Sequence, residues 1–237
     1  MAVSRWTYKL ISLFIVALVI ALSTALFLKP YLPERNGQVT RAAGEVFLPL
    51  PRLEGGMSVE EAIAARKSIR RYRREPLTLS ELSQLLWAAQ GITHENKRSA
   101  PSAGATYPIE VFVFIGNVEG MEPGIYRYDP VRHSLQAVRR GDLRKELQSA
   151  ALNQDWVGKA AVDIVLVAFY SRTTGYYGSR GRMYVHMEAG HIGQNIYLQA
   201  TALGLGTVSV GAFDESRVAK IIGTEGVPVY IFPVGRP

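Results

Sequence analysis

The chain has 237 residues, 48% of them apolar and 20% charged, with a formal net charge of +7 and no cysteine. That length suits one sizeable domain plus an appendage, and the missing cysteine excludes disulfides, thiolate zinc sites, iron–sulfur clusters and cysteine nucleophiles. The positive charge suits an anionic cofactor, a nucleic acid or an anionic membrane surface and does not choose among them.

Leu10 to Leu28 is a run of nineteen residues without a charge, with Arg5 and Lys9 before it and Lys29 after it. As a helix it spans about 28 Å, close to the thickness of a bilayer core. Residues 1–28 are therefore expected to hold an N-terminal transmembrane helix that anchors the chain to a membrane. A signal sequence cut near Ser23-Thr24-Ala25 is the rival reading. Basic residues flank the run on both sides, so the side of the membrane is undecided. Residues 29–56, rich in Pro, Gly and Arg, read as a tether, and 57–237 as the globular domain.

Ser58-Val59-Glu60-Glu61 has the capping-box pattern that opens a helix, and Thr78-Leu79-Ser80-Glu81 repeats it. Leu82, Leu85, Leu86 and Ala89 then mark one apolar face, with Gly91 as the stop. Glu110 to Ile115 is a near-continuous apolar run of strand length. Gly124 to Tyr128 and Ser134 to Val138 predict a hairpin around Asp129-Pro130. Asp142 is expected to cap a helix through Leu152. Val162 to Tyr170, rich in Val, Ile and Leu, predicts a buried strand. Met183 to Leu203 predicts a long helix, apolar on much of its circumference, which implies burial or a subunit interface. A glycine-punctuated turn and strand follow from Gly204 to Gly211. Asp214 caps a helix to Ile222, and Val227 to Val234 forms a last strand. Irregular alternation with both hairpin and crossover connections predicts an α+β fold, with a mixed central β-sheet surrounded by helices.

Two stretches carry unusual chemistry. Arg66, Lys67, Arg70, Arg71, Arg73 and Arg74 place six cations in nine positions, with Ser68 among them. Such a run is often a solvated helix end, but Ser68, Ile69 and Tyr72 interrupt it as in a shaped site. Guanidinium groups beside a hydroxyl make a phosphate cradle. Ala100-Pro101-Ser102-Ala103-Gly104-Ala105 is a small-residue loop that lets a flat or anionic ligand approach the backbone closely. Together they suggest a phosphorylated cofactor. No named nucleic-acid motif is present, so no nucleic-acid partner is expected. Glu188 and His191 have the Glu-x-x-His spacing of di-iron bundles, but in one copy only. Buried, hydrogen-bonded histidines, His186 included, are expected there, and no metal. G-x-S-x-G, Walker and H-E-x-x-H motifs are absent.

Four stretches in this order resemble the nitroreductase family of FMN enzymes, and more closely its SagB-type (azoline dehydrogenase-like) branch. They are Arg66 to Tyr72, Pro101 to Pro108, Glu188 to Asn195 running on through Gly206, and Pro233 to Pro237. The resemblance covers residues 58–237. It implies a nitroreductase-like fold and an interlocked homodimer with two FMN molecules at its interface. Arg66, Lys67, Ser68 and Arg70 would then hold the FMN phosphate and ribityl chain. Pro101, Ser102, Ala103 and Gly104 would line the flavin ring across the dimer. Ser209, Gly211 and Ala212 would approach the reactive flavin edge, and Gly235 and Arg236 would make a second phosphate contact. The implied activity is hydride or electron transfer from NADH or NADPH to a quinone, a nitroaromatic or a similar small molecule. Azoline-oxidising members carry a Lys-Tyr pair in the region of Tyr176-Tyr177-Gly178. Tyr176 here replaces the lysine, which leaves Tyr177 as the candidate proton donor or acceptor. Oxidation of a peptide azoline and a non-catalytic flavin module of a membrane complex are the alternatives.

Overall fold

The computed structural model describes residues 41, 42, 44–94 and 97–237. The expected transmembrane helix, residues 10–28, lies outside the described residues. Among the described residues, no helix is long and apolar enough to cross a membrane.

The first elements are two short strands, β1 (Arg41–Ala42) and β2 (Glu45–Phe47), then α1 (Val59–Ala65) and α2 (Leu79–Gln90). Next come β3 (Ile109–Ile115), the hairpin of β4 (Gly124–Asp129) and β5 (Ser134–Arg140), and two helices, α3 (Arg144–Ala150) and α4 (Asp155–Lys159). The last part runs β6 (Val162–Ala168), α5 (Ser171–Tyr177), α6 (Gly181–Ala202), β7 (Gly206–Thr207), α7 (Glu215–Ile222) and β8 (Val227–Gly235). Both capping boxes form: Ser58 caps α1 with Glu61, and Thr78 caps α2 with Glu81. Asp214 caps α7 by accepting from the Arg217 amide.

The strands join one sheet in the order β1-β2-β5-β4-β3-β6-β8-β7. Every ladder in it is antiparallel, which corrects the expected mixed sheet. From β2 to β6 each strand starts at the end of the sheet where the previous one finished, so direction reverses every time. The parallel pairings are isolated bridges, Ser68 to Thr207 and Leu77 to Val118.

Helices cover both faces. On one, Leu82, Leu85 and Leu86 of α2 and Val185, Ile192 and Ile196 of α6 meet Val113, Ile164 and Phe232. On the other, Leu147, Val157, Val218 and Ile222 meet Phe114, Val165 and Ile231. Burial on both sides explains why β6 reads as unbroken Val, Ile and Leu. Asp163 is the exception, alternating onto the second face with its carboxyl fully buried.

Several boundaries differ from expectation. Arg41, Ala42 and Glu45–Phe47, expected in the tether, are part of the sheet, and Leu48 is buried. Arg52 is strapped to Gln84, its amide donating to Oε1 at 2.8 Å and its carbonyl accepting from Nε2 at 3.0 Å. Leu143, not Asp142, is the N-cap of α3. The Asp142 carboxylate accepts from the Arg144 guanidinium at 2.6 and 2.8 Å and from the Arg144 amide at 3.2 Å. That helix ends at Ala150 because Leu152 and Asn153 turn into left-handed backbone, φ 56° and 57°. β6 stops at Ala168, before Phe169 and Tyr170 lead into α5.

Candidate functional site

At the end of α1 the backbone of Arg66 turns extended, φ −56° and ψ 126°, and the cationic segment runs out along the sheet edge. It is fastened there by main-chain bonds: Ser68 bridges Thr207, and the Ile69 amide donates to the Thr207 carbonyl at 2.9 Å. Gly206 is required at this crossing, since a Cβ would stand 2.7 Å from Ile69 Cγ2. Tyr72 lies on Gly235, where a Cβ would meet its ring at 2.9 Å. The Tyr72 hydroxyl donates to the carbonyls of Ile69 (2.7 Å) and Pro233 (3.1 Å). Burial raises its pKa far above the ordinary tyrosine value, which makes Tyr72 a staple and not a proton carrier.

Tyr197 of α6 joins this segment to the one after β7. Its hydroxyl sits 3.0 Å from Ser68 Oγ, accepts from the Ser209 amide at 2.9 Å and reaches Ser209 Oγ at 3.5 Å. The Arg66 guanidinium lies over its ring, 5.1 Å from the centroid. Burial alone would raise the Tyr197 pKa, but the bonds from Ser209 and Ser68 and the Arg66 charge outweigh it and lower the pKa. Ser68 and Ser209, expected on different parts of one ligand, therefore share one hydroxyl, and Arg66 lies over the ring that carries it. No motif singled out Tyr197. Its signal was an aromatic on the buried face of a long helix whose hydroxyl must find a partner.

Among the described residues, no carboxylate lies within ion-pair distance of Arg66, Lys67, Arg70 or Arg71. Lys67, Ser68 and Arg70 are exposed, so this surface suits a phosphate chemically. Arg70 lies over the Trp156 ring at 5.5 Å, whereas Arg66 lies over that of Tyr197. Arg236 is already engaged. Its Nη2 donates to both Glu81 oxygens (3.0 and 3.1 Å) and its Nε to the Pro76 carbonyl at 3.2 Å. Gly235 is buried under Tyr72, while Gly211 and Ala212 are exposed. The Ala212 carbonyl accepts from Gln154 at 2.7 Å.

The Pro101–Gly104 bend stands elsewhere. It leads into a 3-10 turn, Ala103–Ala105, beside the first half of α6. Gly104 has φ 59°, and a Cβ there would lie 2.7 Å from the Tyr177 hydroxyl. Tyr177, the last residue of α5, packs edge-on against Tyr176 at 4.8 Å and Tyr184 at 5.2 Å. Nine residues of α6 separate Glu188, beside the bend, from Tyr197, which is about 14 Å along the axis. One subunit alone does not bring the bend onto the cationic segment.

The Glu-x-x-His pair is divided. Glu188 is buried and accepts from Gln90 Nε2 at 3.1 Å, whereas His186 and His191 are exposed, contrary to the burial expected of them. The helix buries a face of Val185, Glu188, Ala189, Ile192 and Ile196, and both imidazoles fall outside it. His186 meets the Tyr170 hydroxyl at 2.9 Å.

The model of the nitroreductase family matches residues 63–236. A candidate nitroreductase of Methanocaldococcus jannaschii is 46% identical over 190 residues, 80% of this chain and 96% of that protein. The crystal structure of a candidate nitroreductase from Ralstonia eutropha is 30% identical, with a TM-score of 0.72 over 88% of this chain and 98% of that one. A chain of the Escherichia coli microcin synthetase complex, solved with truncated pro-microcin bound, is 25% identical. It aligns with a TM-score of 0.66 over 73% of this chain and 69% of its own length.

Proposed function

The chain belongs to the nitroreductase family, and we propose that it is an FMN-dependent oxidoreductase fixed to a membrane by its N-terminal segment. It would take reducing equivalents from NADH or NADPH and deliver them to a quinone, a nitroaromatic or a similar small acceptor. The observation that carries this reading is the surface around Tyr197, where cations free of carboxylates flank Ser68 and the Ser209 amide. FMN would supply the hydride and electron chemistry that a chain without cysteine cannot. Arg66, Lys67 and Ser68 would hold its phosphate. Tyr197 would orient Ser68 and Ser209, fixing the distance between the phosphate end and the main chain of residues 209–212. The amides of Gly211 and Ala212 would stabilise negative charge developing on the ring, those of Ser209 and Val210 being bonded to Tyr197 and Ile231. The Pro101–Gly104 bend of a second subunit would cover the ring and exclude water, with Tyr177 behind it.

Purified full-length protein should be yellow, absorb near 450 nm as flavins do, and release FMN on denaturation. Addition of NADH or NADPH should bleach that band, and a quinone or nitroaromatic should restore it. A colourless protein that fails to take up added FMN overturns the proposal. The similarity to the microcin synthetase chain favours a second reading, oxidation of a peptide azoline. It predicts that the band bleaches with an azoline peptide and not with a nicotinamide.

A further inference from the structure

Ser102, Gly104, Ala105 and Tyr107 lie in a loop whose backbone is under unusual strain. Three of its residues are left-handed: Gly104 at φ 59°, Ala105 at 52° and Tyr107 at 44°. Two of these carry side chains, and each such residue is tolerated only where the surroundings over-determine it. What holds this loop is a chain of polar contacts that begins inside the protein. Glu188 is 2% exposed on α6. Its Oε1 accepts from Gln90 Nε2 at 3.1 Å, and Gln90 Oε1 accepts from Arg98 Nη1 at 3.2 Å. The Arg98 guanidinium lies over the Tyr107 ring, 4.5 Å from its centroid. The Tyr107 amide then donates to Ser102 Oγ at 3.0 Å.

The polarity of this chain is fixed from its ends. An arginine only donates, so the Gln90 amide must turn its oxygen to Arg98 and its NH2 group to Glu188. Arg98 thus fixes the Gln90 oxygen, and an acceptor at position 188 is needed to receive its NH2 group. Asn195, further along α6, adds a second hold by donating to the Ser99 carbonyl at 3.3 Å.

We propose that Glu188 is a positioning residue: through Gln90 and Arg98 it clamps Tyr107 and sets the Pro101–Tyr107 loop in the shape that meets the flavin. The groups facing its carboxylate are Gln90 from α2, Arg98 from the turn after it and Ser102 from the loop. Burial raises its pKa, and the Ser102 and Gln90 contacts and the Arg98 charge pull the other way. Arg98 in turn is depressed by its own burial and supported by Tyr107 and Glu188. Loop shape and the protonation of one interior acid are thereby linked.

Only the flavin part of the proposal rests on the FMN reading, and the test separates the two. Amide hydrogen exchange is followed in full-length wild type and in Glu188→Leu, Arg98→Ala, their double variant and Glu188→Gln. The expected result is exchange in residues 101–107 faster by on the order of tenfold in each of the first two variants. The rest of α6 should be unchanged, and the double variant no faster than Glu188→Leu, which removes the Ser102 contact as well. Glu188→Gln, which keeps an acceptor for Gln90, should restore protection. The flavin absorption band should shift in the two disrupting variants and return in Glu188→Gln. Unchanged exchange at 101–107, or additive effects in the double variant, would overturn the clamp. If Glu188→Leu does not fold, Arg98→Ala decides it alone. A protein that binds no FMN yet shows the exchange pattern would sink the cofactor reading and leave the clamp standing.

Discussion

At the scale of single residues, Tyr197 does most to define the site, and its hydroxyl makes a specific forecast. Tyr197→Phe keeps the ring beneath Arg66 but removes the partner of Ser68 Oγ and the Ser209 amide. Flavin should still bind, more weakly, with an altered spectrum. Arg66→Ala should cost about 2 kcal/mol of FMN binding, roughly thirtyfold in Kd, read by titration of the apoprotein. If Arg66→Ala keeps wild-type affinity, the phosphate lies elsewhere. Gly235→Ala drives a methyl group into Tyr72 and should lower stability by about 1–3 kcal/mol in urea unfolding. The cationic run was legible in the sequence because residue type alone announces charge. The engagement of Arg236 by Glu81 was not, because the two are 155 positions apart and only the folded sheet brings them together.

At the scale of elements, local signals succeeded where the chain decides for itself. The capping boxes at Ser58 and Thr78 and the cap at Asp214 need only residues three apart, and all three form. Asp142 lies one residue before the N-cap, and its carboxylate accepts from both the Arg144 amide and, more closely, the Arg144 guanidinium. Strand direction was misjudged because periodicity tells which residues are buried, not which way the neighbour runs. Glu81 links the two kinds of information, capping α2 at its start and pairing with Arg236 at the chain's end. Glu81→Ala should therefore destabilise more than the roughly 1 kcal/mol of an ordinary cap, by about 2 kcal/mol or more in urea. Thr78→Ala, which touches the cap alone, should stay near the ordinary figure.

At the scale of the whole molecule, Asp163 ties stability to pH. Both of its carboxyl oxygens are buried without a hydrogen-bond partner, and burial raises its pKa well above the usual carboxylate range despite the Arg144 charge. A raised acid binds its proton more tightly folded than unfolded. Its contribution to stability is thus full below the unfolded pKa and declines as pH rises from there towards the folded value. Asp163→Asn should raise the Tm at neutral pH and flatten the dependence of Tm on pH above 4. A lower Tm at neutral pH would show that the carboxyl has a partner there. Nothing in the sequence marks this residue beyond one acid in an apolar strand, and its isolation is a property of the assembled layers.

The two ends of the sheet have opposite uses. Arg41 and Ala42 form the margin at β1, while Ser68 meets the chain at β7, the other margin. Seven strand spacings lie between, a lateral offset of about 34 Å. The cationic margin and the first described residues are thus a sheet's width apart, so a molecule bound at one leaves the other uncovered.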